Sequence, residues 1–132
     1  MSQILPIIRI FDYHKAIAFY INWLGFTIDW EHKPDNSPIY MQVSLRDIVL
    51  RLSEHHGDGC PGAQICIQEF TGLREYHQML IAKNYKYNKP GLKVSEWNPG
   101  EIGVTVLDPF GNQLHFSEEP DVVRKTSPHS QV

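Results

Sequence analysis

An internal repeat restricts the fold of this chain more than any other feature. Residues 4–11 (ILPIIRIF) form a short apolar run rich in β-branched residues, the pattern of a buried strand. Asp12 follows where a helix N-cap belongs. Ala16, Phe19, Tyr20, Trp23 and Leu24 then recur at helical spacing as far as Gly25, a helix-stopping residue. Residues 26–31 read as a second strand and residues 33–38 as a loop. Two further strands, Tyr40–Leu45 and Ile48–Ser53, are predicted to meet in a tight hairpin at Arg46 and Asp47. The plan then restarts. Ile65, Cys66 and Ile67 suggest a strand, and Glu69 stands 57 positions after Asp12. The same shift carries Phe19 onto Tyr76 and Trp23 onto Leu80, so Leu73, Tyr76 and Leu80 give a second helix its apolar stripe, with Thr71 a candidate N-cap. One strand is expected within residues 85–97. A closing hairpin, residues 102–107 and 113–117, turns through Asp108, Pro109, Phe110, Gly111 and Asn112. Strand-helix-strand-strand-strand, twice, predicts an α+β fold of two βαβββ modules forming curved mixed sheets. Each sheet has one apolar face that must be covered.

With 132 residues, the chain is expected to form one domain over residues 1–119, with modules at 1–56 and 61–119 and a disordered polar tail at 120–132. A formal net charge of −3 and the absence of a basic stripe argue against nucleic acid as a partner; Lys83, Lys86, Lys89 and Lys93 are spread over a Tyr- and Pro-containing stretch. Cys60 and Cys66 are too few for a disulfide framework or zinc motif. Cys66, between two isoleucines, reads as a buried thiol. No apolar run reaches the roughly 18 residues of a membrane span, and no leader pattern opens the sequence, so a cytoplasmic protein without a membrane partner is expected.

Ile8 to Asp12, then Ala18, Phe19 and Tyr20, then Leu24, Gly25 and Phe26, resemble the first-module signature of the glyoxalase/bleomycin-resistance/extradiol dioxygenase (vicinal oxygen chelate) superfamily. The stretch from Leu107 to Phe116 resembles that superfamily's DPxGN hairpin. Glu96, Trp97, Glu101 and the His115-Phe116 pair bring the chain closest to its bleomycin-resistance-like members. The resemblance implies the glyoxalase/bleomycin-resistance fold and a homodimer whose subunits build ligand grooves. It also implies one of two functions: antibiotic sequestration by small-molecule binding, or a metal-dependent lyase, isomerase or dioxygenase activity.

The superfamily's enzymes hold a divalent ion through four His or Glu ligands. Transferred by the resemblance, those places fall on Leu5, Arg51, Gly62 and His115, of which only His115 can bind a metal. Arg51 would put a permanent positive charge where the ion belongs. The expectation is therefore a binding protein with no metal, no other cofactor and no catalytic residue. Among other residues, Glu54, His55 and His56 read as a solvated loop, and His14 and His77 as exposed helical histidines. No phosphate loop, GxSxG elbow or Cys/His nucleophile pair is present in the sequence.

If the strands alternate, the cavity floor takes Ile7, Arg9, Val49, Arg51, Gln64, Cys66, Gln113 and His115, with Trp30, Tyr40 and Trp97 at its rim. The expected ligand-binding set is Tyr40, Arg51, Trp97, His115, Arg9 and Gln64. Arg51 and His115, equivalent places in the superfamily, are expected to converge. The net charge favours a cationic ligand, whereas the two arginines favour an anionic or carbonyl-bearing one, and the local groups weigh more.

Overall fold

The computed structural model describes residues 2–35 and 38–119. The expected disordered tail at 120–132 lies outside them. Strand β1 (Ile7–Arg9) leads to Asp12, whose backbone is extended and whose Oδ1 accepts the Lys15 amide at 3.0 Å, as an N-cap should. Helix α1 (Tyr13–Ala16) continues as a π-wound segment over Ile17–Trp23, in which the Leu24 amide reaches five residues back to the Phe19 carbonyl at 2.9 Å. Gly25, with φ +93°, ends it in the left-handed region where a side chain would be strained. Strands β2 (Thr27–His32), β3 (Tyr40–Leu45) and β4 (Ile48–Ser53) complete the first set. The second set is β5 (Gln64–Ile67), α2 (Leu73–Ala82), β6 (Leu92–Val94), β7 (Ile102–Leu107) and β8 (Gln113–Glu118).

These strands form two four-stranded sheets in the equivalent orders β1-β4-β3-β2 and β5-β8-β7-β6. The βαβββ repeat is therefore the organising unit, as the 57-residue offset implies. In the first sheet β1 runs parallel to β4, with Ile7 opposite Arg51, while β4-β3 and β3-β2 are antiparallel. The register shifts between Ile28 and Trp30, leaving Asp29 as the extra residue of a bulge. The expected hairpin closes at Arg46 and Asp47, with Leu45 opposite Ile48.

By contacts the chain separates into two compact units. Among the described residues, one contains those up to Ala63 with the turn Leu107–Gln113; the other contains Gln64–Val106 and those from Leu114 to Glu119. In the first, one sheet face is apolar: Ile8, Met41, Val43, Leu50 and Leu52 are buried. Phe19, Tyr20, Trp23 and Phe26 are buried too, with the Phe19 and Tyr20 rings 4.8 Å apart edge to face. Burying one such side chain contributes about 2 kcal/mol. In the second unit Phe70, Tyr76 and Phe116 form an aromatic triangle with centroids 4.8–5.6 Å apart, beside buried Leu73 and Leu80.

Several local expectations are corrected. The first strand is Ile7–Arg9 rather than residues 4–11, and Ile4 is exposed. Glu69 does not repeat the role of Asp12, because its φ of +57° places it in a left-handed turn. The N-cap position of α2 is Gly72 rather than Thr71, and the carboxylate comes from Glu118 on β8, which accepts the Gly72 and Leu73 amides at 3.1 and 2.9 Å. Cys66 is exposed, not buried: β5 alternates exposed and half-buried positions, so Ile65 and Ile67 share one face and the thiol takes the other. His77 is half-buried, and its Nε2 donates to the Pro90 carbonyl at 2.8 Å.

Candidate functional site

The polar and aromatic side chains that strand alternation turns away from the core are the candidate binding groups. In the first unit, Tyr40, Gln42 and Ser44 of β3 and Val49 and Arg51 of β4 are half-buried on the face opposite Met41, Val43, Leu50 and Leu52. Register places Ile7, Arg51, Gln42 and Trp30 in one row across β1, β4, β3 and β2. The Arg51 guanidinium lies 5.3 Å from the Trp30 ring centre and 6.0 Å from that of Tyr40, with the two rings 5.7 Å apart. Its Nε donates to Gln42 Oε1 at 3.1 Å. Gln42 is itself oriented, since its Nε2 donates to Asp29 Oδ2 at 3.0 Å while Ser44 Oγ donates to Asp29 Oδ1 at 2.8 Å. The bulge that frees Asp29 from the ladder thus lets one carboxylate position the amide that positions the arginine.

Arg9 shares this face by β1 register, opposite Ser53, which pairs in turn with Tyr40. Its guanidinium stacks on the Phe11 ring at 4.6 Å, and its buried Nε has no hydrogen-bond partner. The turn at 107–113 closes the unit through a buried polar cluster. Asp108, 4% exposed, accepts the Phe110 and Asn112 amides, Asn112 Nδ2 and the Tyr20 hydroxyl, all at 2.7–2.8 Å. Asn112 also donates to the Arg9 carbonyl at 3.0 Å and accepts the Ala63 amide at 3.0 Å. Burial of Tyr20, then the Asp108 charge beside it, pushes its phenol pKa well above the ordinary value.

In the second unit His115 of β8 shares a hydrogen bond with Thr105 Oγ1 through Nδ1 at 2.9 Å and meets Gln64 Oε1 through Nε2 at 3.3 Å. The Gln64 amide oxygen only accepts, so Nε2 carries the proton of that contact, while the Thr105 hydroxyl can serve Nδ1 as donor or acceptor. Thr105, His115 and Trp97 line an open cavity of about 430 Å³ together with Glu96 and Glu101, within the size range of small-molecule sites. Trp97 is 87% exposed, yet its loop is pinned. Ser95 N donates to Glu101 O at 2.9 Å, Glu101 N to Asn98 O at 3.0 Å, and Asn98 Nδ2 to the carboxylates of Glu101 and Glu119 at 3.3 Å. A smaller hollow of about 300 Å³ near Gly72 and Glu118 is the start of α2, whose amides are already engaged.

The structure therefore joins Tyr40 to Arg51, with Arg9 on the same face, and Gln64 to His115, with Trp97 around the same cavity as His115. Sequence reasoning missed Asp29, Gln42, Ser44 and Thr105. Gln42 and Ser44 were detectable as the same-face neighbours of Tyr40 at period two, whereas the bulge at Asp29 has no signal in the sequence. The chain's residues do not fit the superfamily's divalent ion. Leu5 and Gly62 offer no side-chain donor, Arg51 carries a fixed positive charge, and no three His, Cys, Asp or Glu converge among the described residues. Glu54 of the expected solvated cluster is instead tied to the backbone, accepting the Ile39 amide at 3.0 Å.

A family model described as glyoxalase superfamily protein matches residues 1–122. The bleomycin resistance protein of Geobacillus stearothermophilus is 26% identical over 133 aligned positions, covering 90% of this chain and 98% of its own length. A bleomycin-binding protein solved in complex with bleomycin superposes with a TM-score of 0.68 at 20% identity, covering 91% of this chain and all of that one (100%). An antibiotic-binding protein from Streptomyces sp. CB03234 gives 0.65 at 15% identity, covering 91% and 98%. At identities this low the two structures attest a shared fold.

Proposed function

Because the chain belongs to the glyoxalase superfamily, we propose that it binds a small organic molecule of the antibiotic type and holds it without chemical transformation. The observation that carries this reading is Trp97, a large apolar ring held in solvent by a hydrogen-bonded loop beside a cavity of drug-fragment size. Exposing an indole is unfavourable unless something covers it, and a planar ligand ring stacks on it well. His115 and Gln64 supply polar contacts at the strands nearby, and Tyr40 and Arg51 do so in the first unit. The relatives named for bleomycin resistance and antibiotic binding point the same way, and the misfit of the ion-ligand places weighs against the superfamily's metal chemistry. The protein acts as a homodimer in this reading, with exposed Phe11, Val94 and Leu107 supplying apolar surface for a partner copy.

A thermal-shift panel of antibiotics that includes bleomycin tests the reading. A ligand at a hundred times its Kd stabilises the fold by about 2.7 kcal/mol, and W97A removes most of that gain. If no compound in the panel moves the transition and elemental analysis finds about one divalent metal per chain, the binding reading is abandoned for the enzymatic one. Sedimentation as a monomer at micromolar concentration would refute the dimer.

A further inference from the structure

Two arginines share one face of the first sheet, and among the described residues neither pairs with an acid. Among the described residues the Arg51 side chain makes a single hydrogen bond, from Nε to the Gln42 amide oxygen, and Arg9 makes none from its side chain. Asp29, the nearest carboxylate in the Arg51 network, spends its oxygens on Gln42 and Ser44. The result is a half-buried guanidinium whose orientation is fixed at Nε and whose terminal nitrogens are unspent. A half-buried cation normally finds a counter-charge, because desolvation without one is costly. Among the described residues, apart from the Gln42 amide oxygen, the compensation comes from aromatic faces: Trp30 and Tyr40 for Arg51, Phe11 for Arg9. Those rings are too weakly negative to replace an anion, and Trp30 is still 38% exposed, with area left for a ligand ring.

We infer that this face recognises the carboxylate of an aromatic acid, with the Arg51 terminal nitrogens as the fork and Trp30 and Tyr40 as the flank. A guanidinium fork matches a planar carboxylate bidentately, which a neutral amide or an ammonium group does not reproduce. The inference rests on the small-molecule reading and narrows it to an anionic class, opposite to what the chain's net charge of −3 favours.

Three probes that share one ring separate the charge states: naphthoate, naphthamide and naphthylmethylammonium, titrated by calorimetry. Naphthoate is expected to bind about tenfold more tightly than naphthamide, the factor that a charge-assisted hydrogen bond commonly supplies, with the ammonium weakest. R51M, which keeps the aliphatic stem, should bring naphthoate and naphthamide within about twofold of each other and leave naphthamide affinity unchanged, while R51K falls between. Should R51M fail to fold, salt gives the answer on the unaltered chain: raising NaCl from about 50 to about 500 mM weakens naphthoate alone. Equal affinities, persistent selectivity in folded R51M, salt-insensitive naphthoate binding, or no binding of any probe each overturn the inference. Tight binding of the amide or ammonium probe would do so while leaving the small-molecule reading intact, and the antibiotic panel decides that reading separately.

Discussion

Replacing Tyr20 by Phe removes one oxygen from the buried cluster around Asp108 and little else. The phenol donates to Asp108 Oδ2 at 2.7 Å, and Tyr20 is fully buried, so no water replaces the bond. Hydrogen bonds to a charged acceptor contribute about 1.5–3 kcal/mol. Asp108 Oδ2 keeps its bond from Asn112 Nδ2 in the variant, so the carboxylate is not stranded and the lower part of that range applies, about 2 kcal/mol. D108N is more severe. Its NH2 group must face either the Phe110 and Asn112 amides, which only donate, or the Tyr20 hydroxyl and the Asn112 side chain. The second choice is better because the hydroxyl can turn and accept, yet one donor still opposes another, and the cost is about 3 kcal/mol. Urea unfolding followed through the fluorescence of buried Trp23 measures both variants, and the double variant closes a cycle. Tyr20→Phe should cost less than about 1 kcal/mol once Asp108 is Asn, a coupling of about 1–2 kcal/mol. Loss of less than about 0.5 kcal/mol in Y20F, or full additivity in the cycle, would refute the argument.

E118Q keeps one acceptor of the two that serve the Gly72 and Leu73 amides, and should cost about 1 kcal/mol with a loss of α2 helicity seen by circular dichroism. G59A should cost about 2 kcal/mol or more in chemical unfolding, since Gly59 has φ +75° and an added Cβ would sit 3.0 Å from the Ile7 carbonyl oxygen. Alkali should destabilise the fold: the Tyr13 phenol is raised to about 12, first by its hydrogen bond to Glu31, and Tyr20 is raised by burial. Both therefore ionise later in the folded chain than in the unfolded one, so their stabilisation is intact below about pH 10 and lost as pH climbs through the folded values. Absorbance titration should show Tyr20 ionising only with unfolding, and an unfolding midpoint unchanged between pH 9 and about 12 would contradict this.

Elements were legible wherever burial is one-sided. Tyr40 to Leu45 alternates because one face packs and the other does not, and the stripe from Phe19 to Trp23 marks a helix whether it is wound at 3.6 residues per turn or looser. For that reason the π winding left no trace in the spacing. Cys66 was misread because an Ile-Cys-Ile run looks buried on both sides, whereas β5 is half-covered on its isoleucine face and open on the other. Glu69 was misread because symmetry of sequence suggested symmetry of role, while the α2 amides took their acceptor from Glu118, 45 residues beyond Leu73. Of the candidate site, Arg9, Arg51, Gln64 and His115 were proposed from period-two counting, and Tyr40 as an aromatic at the rim. Asp29 did not, because a bulge is decided by pairing between strands rather than by either strand alone.

The hydrogen-bonding side chains that finish both halves of this protein are translated near the end of the described chain. Tyr20 waits 88 residues for Asp108, the Arg9 carbonyl waits 103 for Asn112, and the first turn of α2 waits for Glu118. A ribosome that has delivered every residue through Val106 has made two helices and most of two sheets, none of them with a complete set of partners. Closure then falls to a dozen residues, and contacts of such long sequence separation slow folding. Until they emerge, the nascent chain keeps Trp23, Phe26 and Phe70 within reach of chaperones, and an early stop codon in this hairpin forfeits both halves at once.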